Sequence, residues 1–201
     1  MVRVPPGLGA KRGAELVMDT SFQGHFLVAS PTLGDPHFFR AVVLIIQHDE
    51  SGALGLVINR PLHTTVGETW SRISDIPYDN DAPLYLGGPC ESPLMVLHCL
   101  EEAGKIEVLP GIYFTAEADD LNELVRDQSS PVKFFAGSAG WTEGQLEAEV
   151  SDGDWLVMPA MAEQIFGRVE DQWRVLTRLI GRVAAVPNLN PKFIPPDPSV
   201  N

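Results

Sequence analysis

Residues 41–59, "AVVLIIQHDESGALGLVIN", decide the fold. Ala41–Ile46 is apolar throughout and shows no polar alternation, which reads as a central strand covered on both faces. A second apolar run, "LGLVIN" (54–59), follows the polar turn "HDESGA" with its Gly52, so the two runs form an antiparallel hairpin.

Outward from this hairpin, further short runs rich in Val, Ile, Leu and Phe are bounded by Gly, Pro, Asp or Ser. They are "HFLVAS" (25–30), "LYLG" (84–87), "LMVLH" (94–98), "IYFT" (112–115), "VKFFAG" (132–137) and "WLVM" (155–158). Helical patterns interleave with them. Thr65 and Glu68 have capping-box spacing, and Val66, Trp70 and Ile73 fall on one face, which predicts a helix over 66–75. Ala118, Leu121, Leu124 and Val125 mark a second over 117–127. A third opens at Thr142, where Gln145 completes another capping box and Leu146 and Val150 face inward. A fourth spans 170–184 with Trp173, Leu176, Ile180 and Val183 inward.

These elements predict a single α+β domain over 21–185, with a mixed, largely antiparallel sheet and helices packed on it in a three-layer-like arrangement. Residues 1–20 read as a flexible tail. Residues 186–201 carry too many prolines for helix or central strand and read as an extended tail.

Composition narrows the function classes. With 44% hydrophobic residues over 201 positions the chain can bury a sizeable core. It carries 27 acidic and 14 basic residues, a net charge of −13, which repels polyanions. Direct nucleic-acid binding is therefore not expected, and nor is an anionic membrane surface. No apolar run approaches the ~20 residues of a membrane helix. Two cysteines, Cys90 and Cys99, make a disulfide scaffold improbable, and a cytoplasmic protein with reduced thiols is expected.

The stretch "FFAGSAGWTEGQLEAEV" (134–150) is the most suggestive of chemistry. Ser138 sits near a G-x-S-x-G elbow, yet Ala136 replaces the first glycine and all five histidines (25, 37, 48, 63, 98) precede it, against the elbow's order of serine, acid, histidine. No lysine follows the glycines, so a Walker A phosphate loop fails as well. A strand–turn–helix junction accounts for the stretch better.

The motifs resemble the AlgH/YqgE family. The resemblance rests on "FLVASPTLGDPHFFRAVVLIIQH" (26–48), "GALGLVINRPL" (52–62), "LYLGGP" (84–89), "VLH" (96–98), "GSAGWTEGQLEAEV" (137–150) and "DWL" (154–156), in order over about 24–181. It implies a bacterial-type cytosolic α+β domain of undetermined biochemical activity, named for a suggested role in regulating alginate synthesis. This chain has Ser138 where the family usually shows an aromatic residue and Cys90 where it usually has an aliphatic one.

The candidate ligand-binding residues are Arg40, His48, Asn59, Arg60, His98 and Trp141. Arg40, Asn59 and Arg60 lie at one end of the hairpin and form a possible anion pocket, with His48 at the other end. The plainer alternative is that Asn59-Arg60-Pro61 ends a strand and Arg60 pairs with a carboxylate. His98 and Cys99, adjacent on a strand, point to opposite faces and cannot pair. Glu143 and Glu147 share a helix face, with no H-E-x-x-H or C-x-x-C motif to support a metal there. No cofactor or metal is expected. The leading expectation is a non-catalytic domain that binds a small anionic ligand or a protein partner, in a regulatory role. The alternatives are an enzyme using Arg60 and a histidine on an anionic small molecule, and a transcription regulator.

Overall fold

The computed structural model describes residues 21–126, 130–168 and 170–185. The expected tails at 1–20 and 186–201 lie outside the described residues.

The hairpin forms as the sequence implies. β2 (Val42–Asp49) and β3 (Gly52–Val57) pair antiparallel, with a bulge between Ile45 and Gln47. They lie inside a five-stranded sheet with β1 (His25–Ala29), β10 (Ala139–Thr142) and β11 (Trp155–Pro159), ordered β10-β3-β2-β1-β11. A second sheet has six strands in the order β4-β5-β9-β6-β8-β7. These are β4 (Pro61–Thr65), β5 (Pro83–Leu86), β6 (Met95–His98), β7 (Ile106–Leu109), β8 (Ile112–Thr115) and β9 (Val132–Ala136). Only β5 and β9 pair parallel, so the fold is α+β, mixed and largely antiparallel, with its strands divided between two sheets.

Strand alternation explains why Ala41–Ile46 is apolar throughout. Val42, Leu44 and Ile46 face the second sheet, together with Phe26, Leu97, Phe114 and Phe135. Ala41, Val43 and Ile45 face the opposite way, with Trp141, Leu146 and Trp155. That outer face is covered by α3 (Gln145–Ser151). The outer face of the second sheet is covered by α1 (Val66–Trp70) and α2 (Ala118–Arg126) through Trp70, Leu121, Leu124 and Phe134. Two further helices, α4 (Ala162–Phe166) and α5 (Gln172–Ala185), insert Ile165 and Leu176 into the inter-sheet core.

Two helix expectations need correction. The Thr65/Glu68 capping box is present, but α1 stops at Trp70, whose indole donates to the Ile76 carbonyl at 2.8 Å as the chain turns back; Ile73 is left exposed. The third helix does not open at Thr142, which ends β10; its N-cap is Gly144, in the left-handed conformation at φ 71°. Gln145 still accepts from the Thr142 N–H at 3.1 Å, but the reciprocal half of the box is missing. Val183's side chain lies outside the described residues, while Trp173 and Ile180 pack against the core as expected.

The glycine-rich stretch is where the chain crosses from one sheet to the other, leaving β9 and entering β10. Its backbone lies directly on Gly87-Gly88. Cys90 and Ser138 exchange N–H···O bonds of 2.9 Å in both directions, and a Cβ on Gly88 would sit 2.2 Å from the Ser138 carbonyl oxygen. Close backbone approach is what these glycines provide. Ser138 is buried in that crossing.

Candidate functional site

Three of the candidate residues converge. Phe39, Arg40, Asn59, Arg60 and the first residues of α5 with Asp171 line a cleft of about 280 Å³. The loop before β2 and the chain leaving β3 meet here because they flank paired strands.

The polar side chains divide the work. Asn59 uses its whole amide on β2's entry: Oδ1 accepts from the Val42 N–H at 2.9 Å and Nδ2 donates to the Arg40 carbonyl at 2.9 Å. The Arg60 guanidinium donates to the carbonyls of His37 and Phe39, the latter at 3.1 Å. Partial burial lowers its pKa, opposed by the Asp35 charge. Asn59 and Arg60 therefore position the loop. Arg40 and Arg174 are left to face solvent. The Arg40 guanidinium lies 4.9 Å from the Phe39 ring centroid and 5.3 Å from that of Trp173, within cation–π range. Arg174 reaches Asp171 at 3.5 Å. Gln172 is buried; its Nε2 donates to the Gln164 carbonyl at 2.7 Å while Oε1 has no partner.

Arg40 (φ 55°) and Asp171 (φ 60°) are the two non-glycine residues with left-handed backbone among those described, and both line this cleft. Such conformations cost about 1–3 kcal/mol each and persist where the surroundings over-determine them. Here Asn59 fixes the Arg40 carbonyl, and α5 begins immediately after Asp171.

The remaining candidates lie elsewhere. His48 sits near the far end of the hairpin, its Nδ1 accepting from the Phe22 N–H at 3.0 Å and its Nε2 bonded to Glu147 at 2.8 Å. An accepting Nδ1 places the ring proton on Nε2, so His48 donates to the carboxylate. Trp141 is a core residue, and its indole shares the Glu149 carboxylate with that of Trp155, each at 2.8 Å. His98 is 0% exposed, stacked on Tyr113, and neither ring nitrogen has a well-formed hydrogen bond. Burial pushes its pKa down, against the opposing influence of the Leu100 backbone and Asp120. Both thiols are free and exposed. No group of three or more His, Cys, Asp or Glu among the described residues could hold a metal ion.

One functional-looking residue has no counterpart in the sequence reading. Lys133 on β9 is 5% exposed. Its Nζ donates to the carbonyls of Ile58 (2.8 Å) and Ile165 (2.9 Å) and lies 4.0 Å from the Tyr85 ring centroid. Burial pushes its pKa down to about 7. The signal was a lysine inside an apolar run, between residues that must both be covered.

Comparison with known proteins fits this architecture. The AlgH-like family model matches residues 26–185. The chain belongs to the AlgH-like family. It is 38% identical to a UPF0301 protein of Chlorobaculum tepidum over 71% of this chain and 78% of that one. A Myxococcus xanthus UPF0301 protein is 39% identical over 77% and 88%. The solution structure of the AlgH protein from Pseudomonas aeruginosa is similar with a TM-score of 0.65 at 30% identity, covering 90% of this AlgH-like chain and 94% of that one. No helix among the described residues is long and apolar enough to cross a membrane.

Proposed function

We propose that this AlgH-like chain is a non-catalytic binding domain whose cleft at Arg40, Arg60 and Arg174 takes a small anionic ligand. The observation that carries the reading is the clustering on that one cleft of Arg40 and Asp171, the two left-handed non-glycine residues among those described. Three arginines converge there in a chain of net charge −13, and the first turn of the fourteen-residue α5 adds free N–H groups and the positive end of its dipole. The unpartnered Gln172 oxygen is shielded from solvent, so the arginines and the α5 N–H groups set the ligand class, an anion. Neither His48 nor His98 lines the cleft, so the supporting geometry gathers arginines there and not the histidine candidates.

The test is calorimetric titration with phosphate, pyrophosphate, citrate and malate. One of these binds the native chain, and Arg174→Ala weakens it at least ~10-fold, the usual worth of a charge-assisted hydrogen bond, with the denaturation midpoint unchanged. Equal affinity in the variant removes the cleft from consideration.

A further inference from the structure

The second cavity, about 300 Å³, opens at the N-terminal ends of β5 and β9 and is independent of the arginine cleft in its lining. Its walls are mostly apolar, Val66, Ala82, Pro83, Phe134 and Phe166 among them, with Asn80, Tyr85 and Lys133 supplying the functional groups. We propose that Lys133 is a nucleophilic amine that forms an imine with a small aldehyde or ketone held in this cavity.

The environment of Nζ accommodates a neutral amine. No carboxylate pairs with Lys133 among the described residues. A neutral amine has two N–H groups, and two carbonyls receive them, those of Ile58 and Ile165. The nitrogen lone pair is then uncommitted. An ammonium would set its third N–H over the Tyr85 ring face, a contact it can use, so the partners fit either form and the burial of the amine in the cavity wall is what favours the neutral one. Desolvation in an apolar pocket is an established way of activating a lysine, because the charged form is penalised and the lone pair becomes available. With a pKa of about 7, half of Lys133 is neutral at neutral pH, against roughly one part in two thousand for an ordinary lysine.

The step balances without a further reactant. The Nζ lone pair adds to the carbonyl carbon, and the former carbonyl oxygen takes up the two amine hydrogens and leaves as water. The C=O bond is replaced by C=N, and nothing is oxidised or reduced. Once protonated, the imine keeps one N–H for one of the two backbone carbonyls, and its charge lies over the Tyr85 face.

The chain has four lysines, Lys11, Lys105, Lys133 and Lys192, so labelling can be mapped completely. The full-length protein is treated with propanal and sodium cyanoborohydride from pH 6 to 9, and adducts are located by peptide mass spectrometry. Lys133 is expected to label at least ~10-fold faster than Lys105 at pH 7, a discounted share of the ~1000-fold gain in neutral fraction over an unperturbed lysine. Its rate should level off above pH 7 to 8, whereas that of an unperturbed lysine, with a pKa near ~10.4, keeps rising. Lys133→Arg keeps N–H donors for the two carbonyls but is permanently charged and has no nucleophilic amine; it should abolish the fast phase, leaving the other three sites unchanged. Labelling of Lys133 no faster than Lys105, or with the same rising pH profile, overturns the proposal. Both outcomes are read on the native protein and do not depend on the variant folding.

Discussion

Replacing Lys133 by methionine tests how a buried amine affects stability. In the folded chain its pKa is about 7, against 10.5 for an unperturbed lysine. Between those values the unfolded chain holds a proton that the native state has released, so stability rises with pH. Below pH 7 both states are protonated and the native state bears the whole penalty. Integrating the linkage from pH 7 to 9.5 gives a gain on the order of 3 kcal/mol, at 1.36 kcal/mol per pKa unit. For a domain of this size that is about 6–12 °C in Tm. Lys133→Met removes the titration but leaves the Ile58 and Ile165 carbonyls without a donor, at about 1–3 kcal/mol each. At pH 7 the relieved desolvation and the lost hydrogen bonds roughly offset, and the two proteins should be similarly stable. At pH 9.5 the variant should be weaker by about 3 kcal/mol. Urea unfolding followed by tryptophan fluorescence at half-unit pH intervals measures this, and the wild-type-minus-variant difference cancels the tyrosines and thiols. Parallel curves across the window would refute the reasoning.

Three further outcomes follow from the geometry. Thr65→Ala removes a complete capping box and should cost ~0.5–2 kcal/mol, whereas Thr142→Ala, at an exposed strand end, should cost under ~0.5 kcal/mol; denaturant midpoints compare the two directly. Gly88→Ala places a Cβ 2.2 Å from the Ser138 carbonyl oxygen and should destabilise by several kcal/mol, about 3 or more, unless the crossing shifts; a Tm within 2–4 °C of wild type, about 1 kcal/mol, contradicts it. His98, with its folded pKa below the unfolded 6.5, contributes stability that is lost as pH falls below about 6.5 toward the folded value, so thermal scans from pH 7.5 to 5 should show an acid slope that His98→Gln reduces.

The sequence made the strands that are buried on both faces legible, and the physical reason is visible in β2. Val42, Leu44 and Ile46 meet one layer and Val43 and Ile45 the other, so no polar residue interrupts the run. Edge strands carry a weaker signal. β4 opens with Pro61 and is only partly covered, β7 is half-covered, and β10 hides in the glycine-rich crossing; all three lie at sheet edges and went unread as strands. The cap assigned to Thr142 failed because Gly144 adopts a left-handed backbone that lets the helix start later. Arg40, Asn59 and Arg60 were legible as a group because they flank paired strands. Their partners on α5 were not, since nothing local in the sequence ties residues 171–174 to residues 39–60. Lys133 was read simply as part of a strand, although β9 lies between two neighbours and buries both faces.

Both cavities depend on the chain leaving β3. Ile58 accepts from Lys133, Asn59 fixes the Arg40 carbonyl, and Arg60 holds the carbonyls of His37 and Phe39. A parallel link runs on the helical side, where Gln172 in the cleft donates to the Gln164 carbonyl and the next carbonyl, that of Ile165, accepts from Lys133. Substitution at residues 58–60 or at Gln172 therefore disturbs hydrogen bonds that support both places, and a lost activity in such a variant identifies neither. Arg174 has only a half-exposed pairing with Asp171, worth at most about 1 kcal/mol. Lys133→Arg keeps donors for the Ile58 and Ile165 carbonyls while removing the titratable amine. These two changes separate the arginine cleft from the lysine cavity because each removes one chemistry and leaves the shared scaffold in place.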